Sequence, residues 1–262
     1  MTFVDIHGAS IHFDEYGDAR NPLLILVHGL MGDGTTVAPL ARRLAERFHV
    51  ITPDALGHGR SARPDGFTLA DQGAMLNGLV GALGDESAVF GGISMGSYLV
   101  AQAATLEPGR ARRLVLIVGK AHGLTSSSAA FAASKGVDLS TLAPEEMLAL
   151  MAEAVWSPDT SPERRAALLG AMNGEQVVLS RAEQAAVERS LAGFDLRPEL
   201  ASITAPTLVI SGASDGLNPP ERGRELAEHI PGARFEVYQH SGHMLAFEEE
   251  DRLVADIEAF AA

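Results

Sequence analysis

The chain has no cysteine among its 262 residues. Disulfides, thiolate metal sites and a cysteine nucleophile are therefore excluded. Basic residues are scarce, with 20 Lys and Arg against 34 Asp and Glu, for a net charge of -14. Such a surface repels nucleic acid and anionic membrane, so neither is expected as a partner. No apolar run is long enough to cross a bilayer. The start, Met1-Thr2-Phe3-Val4-Asp5-Ile6-His7, also lacks a basic segment followed by an apolar one, and a cytoplasmic location is expected. Nine histidines are present, but no two stand at helical ligand spacing beside carboxylates. Neither a metal nor a cofactor is expected. Internal repeats and low-complexity linkers are also missing.

What the chain does have is a hydrophobic content of 46%, ample for one large α/β domain or a domain carrying an insertion. Residues 2–6 and 11–15 alternate around His7-Gly8-Ala9-Ser10, as in an antiparallel hairpin at a sheet edge. Leu23 to Val27, Val50 to Pro53, Ala88 to Ile93, Leu114 to Val118, Thr207 to Ile210 and Phe235 to Tyr238 read as strands, most of them unbroken apolar runs. Helical patterns alternate with them, which predicts a mostly parallel sheet with helices on both faces. Between Gly119 and Arg197 strand-like runs cease. Helical segments take their place at Pro144 to Val155, Ser161 to Met172 and Ser180 to Leu191, with Ser180 and Glu183 forming a capping box. The expected organisation is a core of 1–118 and 198–262 with a helical cap of 119–197.

The run from Ala88 to Ala101 passes from strand to helix through Gly92-Ile93-Ser94-Met95-Gly96. Glycines flank the serine where a Cβ would strike the other arm of so tight a turn. The turn holds Ser94 strained, with its hydroxyl over the amino end of the following helix. Here the chain resembles the α/β-hydrolase superfamily, in particular its capped serine esterases and lactonases. The loop Asp54-Ala55-Leu56-Gly57-His58-Gly59-Arg60-Ser61 matches another structural signature of that superfamily, and His58 is read as a hydrogen-bonded loop residue.

The resemblance implies the chain order serine, acid, histidine, each at the carboxyl end of a strand. Asp215 follows the Thr207 strand and precedes Pro219-Pro220, which makes it the expected acid; Asp138, Asp159, Asp195 and Glu199 are read as solvated. His243, in Ser241-Gly242-His243, is the expected base, with His240 as its rival. The resemblance places the oxyanion donors at the backbone N–H groups of Met95 and Leu30. Candidate pocket residues are His28, Met31, Lys120, His122, Met151 and Trp156, the only tryptophan. Met147, Leu148, Met151 and Val155 share a helical stripe that could form an apolar pocket wall. Lys120 and His122 are the candidates for holding an anionic group, although solvation at a hinge is their default. The expected activity is hydrolysis of carboxylic esters with small to medium apolar acyl groups, through an acyl-enzyme. The same triad in similar capped proteins opens enol-lactones, cleaves carbon–carbon bonds or eliminates pyruvate, and some proteins of the fold serve as small-ligand receptors. The expected partner is a small ester or lactone; oligomeric state is left open.

Overall fold

The computed structural model describes residues 2–172 and 176–261. Eight strands form one sheet: β1 (Thr2–Ile6), β2 (Ala9–Tyr16), β3 (Leu23–Val27), β4 (His49–Pro53), β5 (Ala88–Ile93), β6 (Ala111–Ile117), β7 (Thr207–Gly212) and β8 (Arg234–Tyr238). Their spatial order is β1-β2-β4-β3-β5-β6-β7-β8. The β1–β2 hairpin is antiparallel and β2 joins β4 antiparallel, while every other pairing is parallel.

Strands β3, β4, β5 and β7 are buried along their whole length because helices cover both faces, and their residues alternate between two cores. On β3, Leu23, Ile25 and Val27 enter one core, and Leu24 and Leu26 the other. Helices α1 (Ala38–Leu44) and α10 (Glu250–Ala261) pack on the second face. The first face carries α2 (Leu69–Ala82), α3 (Met95–Leu106) and α8 (Pro220–His229). Thr68 starts α2 through a capping box with Asp71.

Among the described residues, four α-helices run between β6 and β7: α4 (Ser127–Ser134), α5 (Pro144–Val155), α6 (Pro162–Met172) and α7 (Arg181–Leu191). Sequence periodicity missed α4, a Ser- and Ala-rich segment with little apolar contrast that starts where the Ser126 hydroxyl accepts the Ala129 N–H. Also missed was α9 (Leu245–Glu248), a single turn after the β8 loop. The stripe on α5 is only partly a wall. Leu148 is 73% exposed and points to solvent, and the residue that packs fully is the small Ala154.

Candidate active site

The α3 helix starts directly from β5, with no loop between them. That connection forces Ser94 to φ 54° and ψ -113°, a conformation costly for a residue with a Cβ. The two flanking glycines serve different contacts. A Cβ on Gly92 would overlap the Gly96 carbonyl across the turn, whereas a Cβ on Gly96 would strike the Val27 carbonyl of β3, so this second glycine allows helix and strand to approach. The turn is held by Ser94 N–H donating to Ile117 O at 2.9 Å, and by the Ser97 hydroxyl donating to Ser94 O at 2.6 Å.

Three side chains from distant parts of the chain meet here. His243 Nε2 lies 2.9 Å from Ser94 Oγ, and its Nδ1 lies 2.8 Å from Asp215 Oδ2. Asp215 Oδ1 accepts the backbone N–H groups of Leu217 (2.9 Å) and Asn218 (2.8 Å), so the buried carboxylate has a donor at each oxygen. With Asp215 Oδ2 facing the ring, His243 carries its proton on Nδ1 and leaves Nε2 to accept from Ser94. His240 stands apart: it is exposed and pairs with Asp159 at 2.7 Å.

Leu30, in the loop after β3, and Met95, the first residue of α3, line the same cleft as Ser94. Among the described residues neither backbone N–H meets an acceptor. His28 is fully buried and does not line the cleft, contrary to the expectation for a pocket residue. Its Nδ1 donates to Gly29 O at 2.8 Å, and its Nε2 accepts the Ala55 N–H at 3.1 Å. Burial lowers its pKa, so the ring stays neutral and can play both parts. Gly29 O and Leu30 N–H belong to one trans peptide and point in opposite directions, so the ring that holds the carbonyl also fixes the N–H. His58 is likewise buried, donating to Leu56 O at 3.0 Å.

A cleft of about 1040 Å³ opens over Ser94. Met31, Lys120 and Met151 line it; Trp156 does not, being buried at the carboxyl end of α5, and His122 lines only a smaller neighbouring pocket. Several lining residues had escaped the sequence reading, notably Tyr98 and Asn218. Tyr98 lies one helical turn after Ser94, a spacing that could have revealed it. Asn218 donates through Nδ2 to the Tyr98 hydroxyl (2.9 Å) and to Val118 O (2.7 Å), tying the acid loop to α3 and β6.

Glu248 is a second omission. This buried side chain accepts the Gly242 N–H at 2.7 Å, the Ser157 N–H at 2.8 Å and the Thr160 hydroxyl at 2.6 Å. Met244 N–H donates to Val155 O and Gly216 N–H to Ala154 O. The end of α5 therefore grips the loops of both His243 and Asp215. Among the described residues no group of three or more His, Cys, Asp or Glu could hold a metal ion, and no helix is long and apolar enough to cross a membrane.

Residues 24–257 match the model of the alpha/beta hydrolase family. The chain is 29% identical to the pimeloyl-[acyl-carrier protein] methyl ester esterase of Vibrio parahaemolyticus, over 96% of this chain and 98% of that one. It is 31% identical to a putative carbamate hydrolase, RutD, of Caulobacter sp. strain K31, over 84% and 83% respectively. Among solved structures, the enol-lactonase of Burkholderia xenovorans LB400 superposes with a TM-score of 0.82 at 26% identity, covering 99% of both chains.

Proposed function

The chain belongs to the alpha/beta hydrolase family, and from that premise we propose that it hydrolyses carboxylic esters by attack of Ser94 on the acyl carbon. The observation that carries this reading is the unbroken contact from Asp215 through His243 to Ser94 Oγ, at 2.8 and 2.9 Å. His243 Nε2 takes the proton as Ser94 Oγ bonds to the carbonyl carbon. The imidazolium so formed is stabilised by Asp215. The backbone N–H groups of Leu30 and Met95 receive the oxyanion, a contribution of roughly 2.7–4 kcal/mol per donor. When the tetrahedral intermediate collapses, His243 returns the proton to the leaving alkoxide, and the alcohol departs from an acyl-Ser94. Water, deprotonated by His243, then repeats the sequence and frees the acid and the serine. Ester and lactone substrates of related proteins fit the same steps, because a lactone is a cyclic ester whose leaving alkoxide remains attached. Leu30, Met31, Met95 and Met151 supply an adaptable apolar wall for the acyl group. The segment 119–197 serves as the cap over this cleft.

The test is turnover of short p-nitrophenyl esters by wild type and Ser94→Ala. Turnover in the wild type that vanishes in the variant, with the melting temperature unchanged, supports the reading. Ligand binding without any turnover would favour a receptor role instead.

A further inference from the structure

Beside the main cleft lies a pocket of about 150 Å³ whose wall carries three basic side chains, Lys120, His122 and Arg222, and the hydroxyls of Thr125, Ser127 and Ser134. No Asp or Glu lines it. The basic lining contrasts with the chain's net charge of -14. Lys120, Thr125 and Ser127 line both cavities, so the pocket opens from the wall of the cleft that holds Ser94.

Two of the three basic groups have an acid nearby. Glu225 lies 3.5 Å from Arg222 and 3.6 Å from His122. Lys120 differs. Among the described residues no carboxylate lies within ion-pair distance of its ammonium, whose neighbours are the Ser127 hydroxyl at 2.8 Å and the Tyr98 ring at 5.7 Å. Ser127 itself donates to Asn218 Oδ1 at 3.0 Å, so its oxygen accepts one of three ammonium protons and the others remain for a ligand. Burial, with Arg222 adding to it, lowers the Lys120 pKa to about 8, the mark of a cation held in a dry place without a counter-ion. It is still protonated at neutral pH.

We propose that this side pocket is an anion subsite, and that the ester cleaved at Ser94 carries a carboxylate at the end of one of its two chains. One uncompensated positive charge calls for a monoanion, and the small volume suits a carboxylate at the end of an apolar chain lying in the main cleft. This inference rests on the esterase reading and narrows its substrate class.

The experiment compares kcat/KM for the p-nitrophenyl monoester of glutarate with that for p-nitrophenyl pentanoate, and, on the alcohol side, the butanoyl ester of 4-hydroxybenzoate with that of phenol. The carboxylate should win in one of these two arms by at least roughly tenfold, the ratio given by about 1.4 kcal/mol of charge pairing. An acyl ester ending in quaternary ammonium should be disfavoured in the acyl arm. In Lys120→Met the winning ratio should fall towards one, and in Lys120→Arg it should largely persist. Independently of turnover, glutarate should raise the melting temperature of the wild type but not of Lys120→Met. Ratios within twofold of one in both arms, or a preference that survives Lys120→Met, overturn the subsite. If neutral esters still turn over in a Ser94-dependent way, the esterase reading stands without it.

Discussion

Replacing Glu248 by alanine would leave the backbone N–H groups of Gly242 and Ser157 and the Thr160 hydroxyl buried without their acceptor. Each orphaned group costs about 1–3 kcal/mol, and partial relaxation keeps the total near 3–5 kcal/mol. For a chain of this size that lowers the melting temperature by roughly 10 °C. Glu248→Gln separates fold from function more finely. The remaining oxygen can serve Ser157 and Thr160, but the new amide then turns a donor toward the Gly242 N–H, so the loop carrying His243 must shift. A displacement near 1 Å in such a site can cost about 10²-fold in rate. The expected outcome is a kcat 10- to 100-fold lower with KM and the acid limb of the pH profile little changed, alongside a melting temperature only a few degrees lower. Calorimetry and ester turnover on the same samples provide the measurements. A Glu248→Gln protein with wild-type kcat would refute the idea that this side chain sets the position of the base.

Asp215→Asn should lower kcat about 10⁴-fold, and combining it with His243→Ala should be little worse than the poorer single variant, because the groups share one proton transfer; additive losses in the double-mutant cycle would contradict this. Burial holds His58 down to about 4, below the ordinary histidine value near 6.5. The unfolded chain therefore takes up the proton first, so the contribution is complete above pH 6.5 and is lost as pH falls to 4, a change of about 3 kcal/mol; denaturant titrations at pH 7 and 4.5 should show it, and a flat result would refute it. Gly96→Ala should destabilise the fold by about 3 kcal/mol or more, since its Cβ meets the backbone of β3 rather than a movable side chain; a melting temperature within 2 °C of wild type would show that the strand–helix approach tolerates it.

The parts of the fold legible from sequence were those with strong local signals. Unbroken apolar runs identified β3, β5, β6 and β7, because strands buried on both faces have no polar side. Ser180 announced its helix through side-chain bonds made within one turn. The α4 helix carried no such contrast. At the site, the flanking glycines drew attention to Ser94, but a chain pattern cannot say which backbone a missing Cβ would meet, and for Gly96 the neighbour is β3, some 70 residues earlier. The stripe on α5 was visible, but periodicity cannot tell cleft from solvent; Met151 lines the cleft and Leu148 does not. His28 and Trp156 were assigned to the pocket by proximity in sequence, while the folded chain buries both and neither lines the cleft. Glu248 could not be read at all, because its three donors come from two segments and its acidic setting, Glu248-Glu249-Glu250-Asp251, resembles an ordinary solvated helix start.

The central claim, that Ser94 is the one nucleophile activated by His243, is tested most directly by an alkyl fluorophosphonate followed by peptide mapping. The account predicts a single adduct per chain, on Ser94, formed in the wild type, strongly slowed in His243→Ala and absent in a folded Ser94→Ala protein. An adduct on another residue, or undiminished labelling of Ser94→Ala, would contradict it.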